Sequence, residues 1–247
     1  MADVATTVGT RKILVIVPAF NEAERIAGTL ADLREHAPWA DVLVVDDGSL
    51  DGTAETARAA GASAVRHPFN LGVGGAMQTG YLYASENRYD VAFQFDGDGQ
   101  HCAESMAGML EPIARGEADL VIGSRVLGDP SYRFSAFRWL GSRILMAMLR
   151  LLTGLKVTDP TSGFRAASGR LCDFFALYYP QSYLGDTVEA LAAASWHGMK
   201  VAEVPARMRM SRRSSVSNFV GMIHMLRISL ALIVDRIERR FPMPKRR

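Results

Sequence analysis

Asp96-Gly97-Asp98-Gly99-Gln100-His101 sets two carboxylates one residue apart, followed by an amide and an imidazole. The group directly follows Val91-Ala92-Phe93-Gln94-Phe95, an apolar run that reads as a buried strand. Oxygen donors gathered at a strand end form a hard-ligand cluster. They suit Mg²⁺ or Mn²⁺, an ion commonly shared with the phosphates of a nucleotide. Asp-x-Asp alone is equally the signature of an acidic turn. Its place at a strand end is what makes it a ligand candidate.

Asp46-Asp47-Gly48-Ser49-Leu50-Asp51-Gly52-Thr53 also follows a strand and precedes a helix. A carboxylate there can accept hydrogen bonds from a nucleobase edge or a ribose. Asp51 or Thr53 can cap the helix. Ser49 and Asp51 read as turn residues, Asp46 and Asp47 as ligand contacts. Asn70-Leu71-Gly72-Val73-Gly74-Gly75-Ala76 is glycine-rich before a helix, but Met77 stands where a dinucleotide fingerprint needs its third glycine. It reads instead as a tight loop where backbone passes close to a ligand. Gly123-Ser124-Arg125 ends another strand, and Arg125 has the fork geometry to hold a phosphate. Asp159-Pro160-Thr161-Ser162-Gly163-Phe164-Arg165 is a further turn with a carboxylate, two hydroxyls and an arginine. His67, His101 and His197 read as structural.

These groups need a frame. Ile13–Val17, Val42–Val45, Ala64–Arg66, Val91–Phe95 and Leu120–Ile122 read as strands. Asn21–Ala37, Thr53–Ala60 and Gly74–Ser85 read as the helices between them. Alternation of this kind predicts an α/β fold with a mostly parallel central sheet flanked by helices. Ligands bind such sheets beyond the carboxyl ends of the strands. The polar motifs at 18–22, 46–49 and 96–101 fall at those ends, which predicts one shared site.

Two later segments read as cationic amphipathic helices. In 137–152, Leu140, Ile144, Ala147 and Leu151 form a stripe, with Arg143 and Arg150 on another face. In 219–240 the stripe is Phe219, Ile223, Leu226, Leu230, Ile233 and Ile237, with Arg227, Arg236, Arg239 and Arg240 off it.

The 247 residues are 49% apolar and 22% charged, an ordinary globular balance. A net charge of +2 does not point to nucleic acid. Two cysteines, Cys102 and Cys172, imply no disulfide framework and fit a reducing cytosol. The first ten residues lack a signal-peptide pattern, and no run approaches the ~20 apolar residues of a membrane span.

In this order the motifs resemble family 2 glycosyltransferases of the GT-A fold, nearest the dolichyl/polyprenyl-phosphate mannose synthase group. The matching segments are Val17–Glu22, Val45–Thr53, Asn70–Gly72, Phe95–His101, Gly123–Arg125 and Thr161–Arg165, with Glu203-Val204-Pro205, Arg212 and Ser217 as the late segment. The resemblance implies a Rossmann-like nucleotide-binding half and one glycosyltransferase domain over 12–218. A flexible 1–11 would precede it, and a basic amphipathic helix and tail over 219–247 would follow.

It also implies roles. Pro18, Phe20, Asn21, Glu22, Asp46, Asp47, Asn70 and Gly72 would hold the nucleotide-sugar together with Asp96. Asp96, Asp98 and Gln100 would hold Mg²⁺ or Mn²⁺ and the diphosphate. Arg125, Arg165 and Arg212 would meet phosphates, with Ser124, Ser162 and Ser217 on the acceptor side. Asp96, Asp98, Arg125 and Arg212 are the implied catalytic set. The implied reaction is inverting transfer to a polyprenyl or dolichyl phosphate, from GDP-mannose first and UDP-glucose second. Three positions depart from the family pattern: Phe20 where Tyr is frequent, Val73 where Lys is frequent, and Ser211–Ser215 where the late loop is usually glycine-rich.

The chemistry is consistent with these residues. A phosphate monoester, with a second pKa of about 6, is largely dianionic at neutral pH and attacks without a strong base. The expected location is peripheral, on the cytoplasmic face of a membrane, with both cationic helices in the interface and room for a separate membrane-spanning partner. The rival readings are a GT-A enzyme with a non-phosphate acceptor and a nucleotide-sugar-binding module without turnover.

Overall fold

The computed structural model describes residues 8–129, 136–181 and 186–209, and helical positions 227, 228, 230–234 and 236. Seven strands form one sheet: β1 (Ile13–Ala19), β2 (Asp41–Asp46), β3 (Ser63–Arg66), β4 (Val91–Gln94), β5 (Leu120–Ser124), β6 (Arg165–Ser168) and β7 (Val201–Pro205). Their order is β3-β2-β1-β4-β6-β5-β7. All neighbouring pairs are parallel except those of β6, which runs against both β4 and β5. The five strands read from the sequence are present. Arg-Ala-Ala-Ser of β6 has no β-branched residue and gives no local strand signal; the two ladders on either side make it a strand.

The helices are α1 (Ala23–His36), α2 (Thr53–Ala59), α3 (Gly72–Glu86), α4 (Met106–Ala114), the single turn α5 (Arg125–Gly128), α6 (Ala136–Thr153), α7 (Gly169–Tyr178) and α8 (Asp186–Trp196). Each sheet face is covered. Ile13, Val15 and Val17 join Ile26, Leu30 and Leu33 of α1 and Met106, Met109 and Leu110 of α4. Leu14, Ile16 and Leu43 join Met77 and Tyr81 of α3, Phe174 and Phe175 of α7 and Leu191 of α8. Period-two alternation along β1 thus feeds two cores, as a sheet buried on both faces requires.

Most of the glycine-rich stretch is helix and not loop. Gly74 and Gly75 lie inside α3, and a Cβ at Gly74 would sit 2.5 Å from Pro180 O. The close approach is between α3 and the chain after α7.

Leu145 and Leu149 of α6 enter the core, as do Ile228 and Leu232. The stripes read from the sequence face the other way: Ile144, Leu151, Leu230 and Ile233 are exposed. These helices are therefore apolar on two faces. Residues 1–7, Arg212, Ser217, the 218/219 boundary and most of 219–240 lie outside the described residues.

Candidate active site

Parallel strands align their carboxyl ends, and Ala19 of β1 pairs directly with Asp46 of β2. The antiparallel β6 begins where its neighbours end, so the 159–164 turn reaches the same edge. Every described motif of the sequence reading meets there.

Asp96 follows β4 and Phe95. His101 folds back beneath it, stacked on Phe164 at 4.7 Å and edge-on to Phe95 at 5.3 Å. The Asp96 N–H donates to His101 Nδ1 at 3.0 Å, leaving the ring proton on Nε2, 3.4 Å from Asp96 Oδ2. Burial pushes the imidazole pKa below its ordinary value, against the pull of Asp96. His101 is thus a neutral prop that aims the Asp96 carboxylate. Gly163 leaves room for it: a Cβ there would lie 3.1 Å from Asp96 Oδ2.

Asp98 accepts the Gln100 N–H at 3.0 Å and the Gln100 side-chain amide as well, across Gly99 in the left-handed region. Gln100 is therefore a partner of Asp98. Among the described residues no three His, Cys, Asp or Glu side chains converge as a metal cage. No Lys or Arg among them forms an ion pair with Asp96 or Asp98. Two carboxylates of this kind fit a hard cation that fills its other positions with water and phosphate oxygens.

The β1 and β2 loops are stitched together. Asn21, at φ 55°, donates its N–H to Ser49 Oγ at 2.9 Å and accepts from Leu50 N–H at 2.9 Å. Glu22 N–H donates to Thr53 Oγ1 at 2.9 Å. Pro18 pairs with Val45 near the ends of the two strands. The adjacent acids part company. Asp47 accepts from Leu71 N–H at 2.9 Å, Gly72 N–H at 2.8 Å and His67 Nδ1 at 2.8 Å. His67 Nε2 meets Thr79 Oγ1 at 2.9 Å. Asp47 and Gly72 thus anchor the 67–72 loop, with Asn70 Oδ1 also on Gly72 N–H. Asp46 uses Oδ1 on Ser49 N–H, while its buried Oδ2 has no hydrogen-bond partner and lies 3.5 Å from Arg66 Nε. Phe20, the residue after the Asp46 partner Ala19, is 46% exposed.

At β5, Arg125 is gripped by Asp159: Nε to Oδ2 and Nη2 to Oδ1, both at 2.7 Å. Thr161 Oγ1 accepts from Nη2 at 3.0 Å. Glu203 of β7 accepts the N–H groups of Thr158 and Asp159, each at 2.7 Å, and so fixes that turn. Asp159 and Glu203 were present in the quoted motifs, but pairing 34 and 44 or 45 positions apart carries no local signal.

Three acceptor-side candidates have protein partners. Ser124 is fully buried, with its Oγ on Thr158 Oγ1 at 3.0 Å and capping α5. Ser162 Oγ turns inward to Gly123 O at 2.7 Å. Arg165 is buried and donates to Ser162 O at 2.8 Å, Pro160 O at 3.0 Å and Thr187 O at 2.6 Å. Its guanidinium saturates carbonyls and braces the turn that carries Asp159. Nearby, Asp186 opens α8, buried, with Oδ2 unpaired. Desolvation raises its pKa to about 6, outweighing Arg165. His197 packs on Phe174 at 4.5 Å, just before β7 begins.

Comparison with known proteins bears on this geometry. The family model described as glycosyl transferase family 2 matches residues 14–177. The chain is 36% identical over 207 residues to an undecaprenyl-phosphate mannosyltransferase of Micrococcus luteus, covering 78% of this chain and 82% of that one. It is 30% identical over 213 residues to a UDP-N-acetylglucosamine–dolichyl-phosphate N-acetylglucosaminyltransferase of Methanococcus voltae, covering 79% and 84%. In fold it resembles glucosyl-3-phosphoglycerate synthase of Mycobacterium tuberculosis, solved with Mn²⁺, UDP-glucose and phosphoglyceric acid. The TM-score is 0.72 at 23% identity, over 98% of this chain and 84% of that one. With its strand-end carboxylates, its seven-stranded sheet and a match over most of its length, the chain belongs to glycosyl transferase family 2 and is a glycosyltransferase of the GT-A fold.

Proposed function

We propose that this glycosyltransferase moves a hexosyl group from a nucleoside diphosphate sugar to a polyprenyl phosphate, with mannose from GDP-mannose as first choice and glucose from UDP-glucose as second. The observation that carries the reading is Asp96, propped by His101 and set against Gly163 of the turn that holds Arg125, with Asp98 two residues on. The names of the relatives supply the acceptor class.

In this reaction an acceptor phosphate oxygen bonds to the anomeric carbon as the bond to the diphosphate breaks. The nucleoside diphosphate leaves and configuration inverts. The attacking oxygen carries no proton, so no base is needed. The protein's part is positioning and charge compensation. Pro18, Phe20, Asn21, Glu22, Asp46 and Asp47 are proposed to hold the nucleoside. Asp96 and Asp98 would hold Mg²⁺ or Mn²⁺, which when bound neutralises the departing diphosphate. Arg125 adds a fixed positive charge, and Arg212 is proposed for the same phosphates.

A membrane-resident acceptor suits the outer face of α6. Ile144 and Leu151 are exposed there beside Arg143 and Arg150, a pattern that fits an anionic lipid surface. Among the described residues no helix is long and apolar enough to cross a membrane. The proposed place is peripheral, on the cytoplasmic face, with a separate membrane-spanning partner as a further proposal.

A second reading rests on Asp186. A hydroxyl acceptor needs a base, and a buried carboxylate with a pKa of about 6 and an unpaired oxygen has that character. Incubation with GDP-mannose or UDP-glucose, Mn²⁺ and undecaprenyl phosphate, read by mass, separates the two. A sugar-phosphate lipid supports the first reading. Nucleotide release that depends on an added alcohol and not on lipid phosphate sinks it.

A further inference from the structure

Arg209 and Asp32 lie outside every motif read from the sequence, yet their bonds converge on the loop that carries Asp96 and Asp98. The Arg209 N–H donates to Gln100 O at 2.7 Å. Its Nη1 donates to His101 O at 3.1 Å and Gly99 O at 3.4 Å. One residue therefore takes three consecutive carbonyls just beyond Asp98. The same guanidinium is paired with Asp32, Nη2 to Oδ1 at 2.8 Å and Nη1 to Oδ2 at 3.2 Å. Asp32 Oδ2 also accepts the Ala103 N–H at 3.2 Å. One turn earlier on α1, Thr29 Oγ1 donates to Gly97 O at 3.1 Å.

We propose that Arg209, clamped by Asp32, is a positioning residue that holds the Asp96–Ala103 loop in the shape needed to take a divalent cation and a diphosphate. The inference rests on the reading of Asp96 and Asp98 given above. A loop with glycines at 97 and 99 has more backbone freedom to lose on ordering than one without them. A clamp that orders it beforehand removes that cost from binding. A plain surface ion pair would be worth little. This pair differs because the guanidinium serves a carboxylate and backbone carbonyls together, which a lysine cannot do with the same geometry. Asp32 is also only 10% exposed.

The test uses the full chain. Hydrogen exchange of amides 96–103 is measured without metal in Arg209→Met, Arg209→Lys and Asp32→Asn. Mn²⁺ binding is measured in parallel from the free-ion paramagnetic signal, with UDP or GDP in excess. The loop should exchange about tenfold faster in Arg209→Met and Asp32→Asn while β1 and β2 stay protected. Mn²⁺ should bind about tenfold more weakly, with partial recovery in Arg209→Lys. That lysine variant also covers failure of Arg209→Met to fold, which would show as fast exchange in β1 and β2. Unchanged loop exchange overturns the clamp. Faster exchange with unchanged Mn²⁺ binding overturns the positioning role. A wild-type chain that binds no Mn²⁺ with either nucleotide overturns the metal reading itself, while the exchange arm still reports on the clamp.

Discussion

Asp159 holds Arg125 by side chain and backbone at once: Oδ2 accepts both Nε at 2.7 Å and the main-chain N–H at 3.1 Å, and Oδ1 accepts Nη2 at 2.7 Å. The arginine is thereby fixed in position. Asp159→Asn keeps the size but loses the charge and one acceptor. We expect kcat to fall about tenfold to a hundredfold with donor KM little changed, against roughly 10²–10³ for Arg125→Ala. Equal kcat in wild type and Asp159→Asn would separate Arg125 from the chemistry.

Arg165→Met leaves two carbonyls of the 159–164 turn and the Thr187 carbonyl of α8 without this donor. The expected cost is about 3 kcal/mol or more, read as a lower midpoint in urea. A phosphate contact would behave otherwise, raising KM with the midpoint unmoved.

Gly163→Ala places a methyl 3.1 Å from Asp96 Oδ2. The carboxylate must shift, and a misplacement of this size should lower kcat by about tenfold or more. Circular dichroism should match wild type. Full activity would show that Asp96 need not stay where His101 props it.

Asp186 has its pKa raised from 3.8 to about 6, so the folded state binds its proton more tightly than the unfolded chain does. Its contribution to stability is fully present below pH ~4 and is lost as pH rises through about 6. Asp186→Asn does not titrate. Relative to wild type it should gain on the order of 2–3 kcal/mol between pH 4 and pH 7.5. A difference that stays flat with pH would mean an ordinary carboxylate.

Ile144→Glu with Leu151→Glu puts charge on the exposed face of α6. Burial of each side chain in lipid is worth about 1.5–3 kcal/mol, so co-sedimentation with anionic vesicles should weaken roughly a hundredfold. Activity toward a short, water-soluble acceptor should persist. Unchanged sedimentation would remove α6 from the membrane contact.

Much of this was legible in the chain itself. β1, β2, β4 and β5 are short β-branched or aliphatic runs closed by polar residues, so local pattern places them and puts 46–49 and 96–101 at strand ends. β6 was not legible: Arg-Ala-Ala-Ser becomes a strand only because β4 and β5 each offer it a ladder.

The candidate site divides the same way. Residue type and spacing alone nominate Asp96, Asp98 and Arg125. They also nominate Asp47, Ser162 and Arg165 on the same footing. Only the folded chain shows the long-range partners: Leu71 and Gly72 on Asp47, Gly123 on Ser162, Thr187 on Arg165, and Asp159 on Arg125. The two apolar faces of α6 follow the same logic. A stripe in sequence shows that a face is apolar, and the phase of packing decides that Leu145 and Leu149 turn inward while Ile144 and Leu151 face out. Sequence sets what each side chain can do; long-range pairing sets which of them remain available to a ligand.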